Sequence, residues 1–479
     1  MMKRFVMVLA VFAALALALP AMAADVKIKG DFNNRFMVYT DHNDWLDGEK
    51  GGLGDGTSNE TWGEAKYRMW FDASTNDGKV KGVWAFEIGA LEYGKGKASD
   101  GEGASTGGGY SGDTINVETR WLYTDFQLPW CQNSFRVRMG LQPLKVNSFY
   151  WAETIMGVKA YGSVNSVDWE VAWLRPVRDE TKDDDDDVED MDAFYGRVNF
   201  KPAAGLKMGV FAVYHTGDSD SSFSGDYITS QNYELKNLGN KYDTQIFTIG
   251  TDGSWSKDNY FAKWDFIYET GSIDDAMFAN HYEFFNGMGG YYSDNDGNVV
   301  SDDTDLDLDA YLLHVDLGFK MDAWKFTYTF WYASGDDDAG DDDLEGFMAV
   351  DIDRMDNICI FEGGFTDDDY FTEKDYLLDK GFIMNKLAAD YKANKKLTMG
   401  ASIMYMMTAE DIEYDGESDD KIGFEVDGYV KYKIYDNLEF AINAGYLFAD
   451  DAMDFFEEEM DGNSDEDIFI STARIRYKF

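Results

Sequence analysis

Basic residues recur where an extended strand would hold them on one face. Arg35, Lys66, Arg68, Arg120, Arg136 and Arg138 lie in the first third of the chain, and Arg474 and Arg476 lie just before its end. A ladder of such cations along a water-filled passage tunes which solutes cross it. Arg35 to Arg138 would sit on neighbouring N-terminal strands, with Arg474 and Arg476 closing against the first. Glu153, in the connection "PLKVNSFYWAET", would set a transverse field if it faced Arg136 and Arg138. The plainer alternatives are solvated cations balanced by Asp31, Glu64, Glu118 and Glu425, and an ordinary rim loop.

Other constellations suggest less chemistry. The aspartate runs at 183–187, 336–338 and 341–343 are rich in hard oxygen donors, suited to loosely bound Ca²⁺ or Mg²⁺. Asp294 and Asp296 in "DNDGN" are metal candidates of the same kind, but the glutamate at position twelve of a calcium loop is missing. A solvated acidic rim is the simpler account; divalent cations bridging it to lipopolysaccharide phosphates is an intermediate one. No other cofactor is expected. His215 and Ser219 in "YHTGDSD" have no third group to orient them, so no enzyme is expected. Four histidines without close spacing do not build a metal site. Cys131 and Cys359 lie far apart in the chain, fall at opposite ends of the layout below, and are expected to stay unpaired.

The elements that must position the cations follow one grammar. Segments of about ten residues alternate apolar and polar side chains and then meet a turn. "YFAKWDFIYE" places Tyr260, Ala262, Trp264, Phe266 and Tyr268 on one face and Lys263, Asp265 and Glu269 on the other. "FRVRMGLQ", "WKFTYTFWY" and "FEVDGYVKYKIY" repeat the pattern. Short turns such as "NDGK", "NSVD", "SKDN" and "YDN" alternate with long acidic or Gly-rich stretches such as "RDETKDDDDDVED". That alternation of loop length marks a membrane barrel with short periplasmic turns and long outer loops.

Roughly eighteen strands fit this template, with sixteen as the alternative. They start near residues 26, 61, 80, 114, 134, 156, 167, 193, 206, 244, 260, 308, 324, 383, 397, 424, 438 and 467. A closed sheet of that size is too wide to fill with side chains. Its polar faces then line water and its apolar faces meet lipid, where every backbone group must be paired within the sheet. Trp70, Phe71, Trp121, Tyr123, Trp169, Trp173 and Tyr477 are expected at the lipid interfaces. Short helical turns are expected only within loops, near residues 344–357.

The ends agree with this reading. Residues 1–23 have a basic start, an apolar core and a small-x-small close, the pattern of a secretory signal peptide, leaving 24–479 as one barrel domain. The net charge of −49, from 91 acids against 42 bases, excludes nucleic acid as a natural partner. The last strand, "STARIRYKF", sets Ile475, Tyr477 and Phe479 on one face and Arg474 and Arg476 on the other. A final aromatic with apolar residues at every second position resembles the assembly signal of bacterial outer-membrane barrels. Together with the signal peptide and strand grammar, the chain resembles the trimeric porins of Gram-negative bacteria. The resemblance implies an outer-membrane homotrimer, inserted by the barrel-assembly machinery and passing small hydrophilic solutes and ions by passive diffusion. The Pro-Glu-Phe-Gly motif of the best-known general porins has no match here. A substrate-selective channel for sugars or anions is the alternative, with Trp331, Tyr311 and Tyr429 as aromatic candidates for its lumen. A structural or adhesive surface barrel is a third reading.

Overall fold

The computed structural model describes residues 25–40, 60–94, 117–129, 131, 135–177, 191–219, 242–276, 304–337, 343–354, 356–359, 380–414, 417–452 and 467–479. The signal-peptide segment, Asp294, Asp296 and the acidic run at 183–187 lie outside these residues.

The described chain is a closed antiparallel barrel of 18 wall strands. They are β1 (Asp25–Thr40), β2 (Glu60–Ser74), β3 (Val80–Glu92), β4 (Glu118–Gln127), β5 (Arg136–Pro143), β6 (Thr154–Val164), β7 (Val167–Val177), β8 (Met191–Ala203), β9 (Leu206–Ser219), β10 (Tyr242–Lys257), β11 (Tyr260–Ala276), β12 (Thr304–Met321) and β13 (Trp324–Ala333), then β15 (Phe382–Lys392), β16 (Leu397–Tyr414), β17 (Glu417–Tyr435), β18 (Leu438–Ala449) and β19 (Ile468–Lys478). The two-residue β14 (Asp343–Leu344) runs parallel to β12, while β13 pairs directly with β15. Each wall strand lies beside its sequence neighbours, and β1 pairs with both β2 and β19. No described helix is long and apolar enough to cross a membrane.

Closure removes the free edges that would otherwise leave backbone groups unpaired in lipid. At the seam Gly30 and Phe479 exchange backbone hydrogen bonds of 3.0 and 3.1 Å. The Phe479 ring lies over Gly30, where a Cβ would collide with it, and packs against Phe32 and Tyr477 at ring-centroid distances of 5.8 and 5.4 Å. The short turns use residues that tolerate the left-handed region: Gly78, Asn165, Gly205, Asp258 and Asp322 have φ between 51° and 77°.

β12 shows how one strand meets four environments. Its outward residues are Asp305, Asp307 and Asp309, then Tyr311, Leu313, Val315, Leu317, Phe319 and Met321. Its inward residues are Leu306, Leu308, Ala310 and Leu312, all buried, then His314, Asp316, Gly318 and Lys320. Polarity therefore inverts on both faces near residue 310. Above that level water lies outside and packed chain inside; below it an apolar belt of about 25 Å faces outward and the polar side faces the lumen.

Of the aromatics expected at the lipid interface, Phe71, Trp169, Trp173 and Tyr477 do face outward. Phe71 stacks on the exposed Trp84, Trp169 meets Phe135, and Tyr477 packs with Phe479. Trp70, Trp121 and Tyr123 face inward: Trp70 packs against Trp121, and Tyr123 lies under the Arg138 guanidinium at 4.5 Å. Adjacent residues on a strand take opposite faces, so Trp70 and Phe71 could not share one. Segment 344–357 is not helical among its described residues. Its amides instead bond outward to the wall and to a second loop.

Candidate functional site

Two segments fold into the barrel. The first, residues 144–153, links β5 to β6. It is held as a compact loop by Leu144 N to Glu153 O (2.8 Å), Val146 N to Trp151 O (2.9 Å) and Trp151 N to Asn147 O (3.0 Å). Asn147 Oδ1 accepts the Phe149 amide at 2.8 Å, fixing the turn that drives Phe149 and Tyr150 inward. Both rings are fully buried against the far wall. Phe149 packs on His314 and Trp331 at 4.6 and 4.9 Å, and the Tyr150 hydroxyl accepts a 3.0 Å bond from Thr248.

The second segment, residues 345–359, runs beside the first. Val350 N and Asp351 N donate to Tyr150 O at 2.8 and 3.0 Å; Ala152 N donates to Asp351 O at 3.0 Å, and Asp353 N to Ser148 O at 2.9 Å. Two fully buried wall carboxylates anchor it. Glu269 accepts the Met348 amide at 2.9 Å, and Glu425 accepts the amides of Ile358 and Cys359 at 2.7 and 3.0 Å. A buried amide left without an acceptor costs more than the bond itself gains, so these two wall acceptors fix this loop in place. Arg354 continues the contact. Its guanidinium bonds Asp356 at 2.6 Å and reaches Asp316 at 3.5 Å, beside His314, whose Nδ1 lies 2.9 Å from Asp265.

On the short-turn side of this double loop lies a cavity of about 660 Å³. Arg197, Lys201, Lys207 and Lys263 line it from the wall, and Lys145 and Arg354 from the loops. They outnumber its carboxylates, Asp168, Asp252 and Asp265.

The cations singled out in the sequence do gather on one wall, made by β19, β1, β2, β4 and β5, but every one meets an acid. Arg35 bonds Glu64. Glu87, on the intervening β3, bonds Arg68, takes Arg120 at 2.7 Å and has Lys66 at 3.4 Å. Asp125 takes Arg136 at 2.5 Å and Arg138 at 3.0 Å. Asp31 takes Arg476 at 2.6 Å, and Glu439 takes Arg474 at 3.1 Å. The wall is a lattice of alternating charges.

Glu153 does not oppose Arg136 and Arg138; its nearest cation is Arg120, at 4.0 Å. Arg136 begins β5 and Glu153 lies beyond its other end, roughly 25 Å along the strand direction at the usual rise per residue. Glu425, read as a counter-charge for the cations, instead holds loop amides. Trp331 faces inward but is fully buried between Phe149 and Phe382, and Tyr311 faces outward. Of the three aromatic lumen candidates, Tyr429 alone is both inward and partly open, bonded to Asp390 at 2.6 Å. Ile475, Tyr477 and Phe479 share the outward face of β19. Cys131 and Cys359 are both free. Glu87, Asp125 and Glu269 were missed as organising residues. Each is one acid among many on a polar face, and only register shows which cations or amides surround it. No group of metal-ligating side chains occurs among the described residues.

The architecture is that of a porin-type barrel with inward loops. No family model matches the chain, and no curated protein matches it. Solved structures share its fold. Pseudomonas aeruginosa OccK8 (OprE) superposes with a TM-score of 0.52 at 11% identity, over 95% of this chain and 98% of that one. Pseudomonas aeruginosa OpdQ gives 0.50 at 10% identity, again over 95% and 98%. Pseudomonas aeruginosa OpdK, solved with vanillate, gives the same TM-score, identity and coverages. At such identities the likeness shows the fold, that of outer-membrane channel structures. The porin-type barrel expected from the sequence stands; the narrower likeness to trimeric general porins finds no support in these neighbours.

Proposed function

We propose that this protein is a substrate-selective channel of the bacterial outer membrane, passing small hydrophilic solutes. One observation carries the reading: two inward segments, joined by backbone bonds and anchored by Glu269 and Glu425, occupy the barrel beside a cavity of about 660 Å³. That volume is of the size of a site for one small molecule. OpdK was solved with vanillate, a small organic anion, and solutes of that size are the first to test. Insertion by the barrel-assembly machinery through the face of Ile475, Tyr477 and Phe479 belongs to this reading. So does contact of the acidic loops with lipopolysaccharide. Deleting Phe479 should then lower the yield of heat-modifiable, membrane-inserted barrel.

The decisive experiment is single-channel recording combined with liposome swelling. A selective channel gives a small conductance and separates solutes of equal size but different chemistry. Conductance that simply follows bulk conductivity, with swelling rates set by size alone, would return the protein to the general diffusion porins.

A further inference from the structure

The chain carries a net charge of −49, yet the short-turn end of the barrel is rich in lysine. Connections there read "FKPAAGLK" at 200–207, "FKMDAWK" at 319–325 and "YKANKKL" at 391–397. β17 and β19 end in the same way, with Tyr432-Lys433 and Tyr477-Lys478. Each aromatic–lysine pair sits near the end of a strand that descends to this side. The ring points out and the lysine in, because neighbours alternate faces. Tyr432 is exposed, Phe319 packs on the exposed Tyr260, and Tyr391 packs on the exposed Trp324. Outward aromatics mark the interface level, so the inward lysines share that level and ring the mouth of the lumen.

These lysines differ from the paired arginines of the wall. Lys201, Lys207, Lys320, Lys392 and Lys433 form no ion pair among the described residues. Lys320 and Lys325 stand directly opposite each other on β12 and β13, with both ammonium groups 5.4 Å from the Phe261 ring centroid. Only Lys325 has a carboxylate nearby, Asp390 at 3.3 Å. Like charges directly opposite on adjacent strands repel, and a bound anion removes that repulsion. Lysine is a compact point charge on a flexible stem, with three rotatable donors that can follow the oxygens of an anion. Spaced ammonium groups around a mouth match an anion carrying charge at several centres. Because they point into the barrel, phosphates of the surrounding bilayer cannot reach them.

We propose that the short-turn mouth of the lumen binds oligophosphate anions, which enter from that end and obstruct the passage. The inference rests on the reading of the barrel as a channel. The test uses full-length protein inserted in one orientation in planar bilayers, with tripolyphosphate added to either chamber. Block from the short-turn side is expected at a concentration at least tenfold lower than from the long-loop side. In a Lys320→Gln/Lys325→Gln variant the blocking concentration should rise at least tenfold. Lys201→Gln/Lys207→Gln provides the same test should the first variant lose its heat-modifiable folded form. Equal block from both sides, or unchanged block in a folded variant, overturns the proposal. Conductance without block overturns the site and leaves the channel reading in place. Absence of conductance in any solution overturns the channel reading instead, and calorimetric titration of tripolyphosphate into the detergent-solubilised protein then decides the site alone.

Discussion

The two sides of the barrel interior are built on different principles. Along β19 and β1 to β5 the inward face is a lattice of ion pairs centred on Asp31, Glu64, Glu87 and Asp125. Along β9 to β17 the part of it that the two inward segments cover is rich in apolar side chains: Val213, Ile246, Ile267, Leu308, Trp331, Met384 and Met406 are fully or almost fully buried. The outward faces of both sides are apolar and exposed. The difference lies in what covers the inside. On the first side the acids are buried beneath their cations, and Arg68, Arg120, Arg136 and Arg138 stay part-exposed, whereas the two inward segments press directly on the second. Hydrophobic burial therefore holds the loops, and a few carboxylates fix their register. On the channel reading proposed above, the first side would act on selectivity by charge and the second on aperture.

The largest expected effect lies on the covered side. Trp331→Ala removes a ring packed between Phe149 and Phe382, at a cost of about 3–5 kcal/mol for a large aromatic in a packed core. Chemical unfolding in detergent should show that loss, and single-channel conductance should rise severalfold as the loop loosens. Wild-type values in both would show that the double loop does not set the aperture.

Next comes the paired side, where Glu87→Gln leaves Lys66, Arg68 and Arg120 without their shared carboxylate. Folding should change little, while the reversal potential in asymmetric salt moves toward anions. A change of stability without a change of reversal potential would mean that this wall is packed rather than solvated.

A shift of opposite sign is expected from Arg136→Ser combined with Arg138→Ser. Both share Asp125, so the pair contributes less net charge than two free arginines, and its removal exposes that acid. Permeability should move toward cations at every salt concentration tested, most visibly at low salt, where screening is weakest. A reversal potential indifferent to the substitutions removes these residues from the conducting path.

The smallest effect needs no substitution. Cys359 is buried in the second segment, and burial pushes its thiol well above the ordinary range, whereas Cys131 is partly exposed. The thiolate is the reactive form. At neutral pH a maleimide should modify Cys131 and leave Cys359 untouched, with mass spectrometry of the peptides as readout. Equal labelling of both would show that the covered side opens in solution.

The barrel was legible in the sequence because its signal is local. A period of two, repeated against lipid, forces apolar side chains outward wherever the chain crosses, and tight turns betray themselves by Gly, Asn and Asp. Strand starts read from that pattern fall within four residues of those in the structure, except β17. Its first residues, Glu417 to Lys421, form a polar extension where the apolar alternation has not begun. The terminal Phe479, the basic wall and the direction of each cation followed from the same alternation. Alternation states that a strand has two faces and says nothing of what a distant segment places on them. That Glu87 gathers three cations, that Glu153 lies a strand's length from Arg136, and that Trp331 is sealed while Tyr429 is open were decided by register and closure. The same holds for the loop at 144–153 crossing to His314 and meeting residues 345–359. Those contacts join residues more than a hundred positions apart, and their energy exists only once the barrel has closed around them.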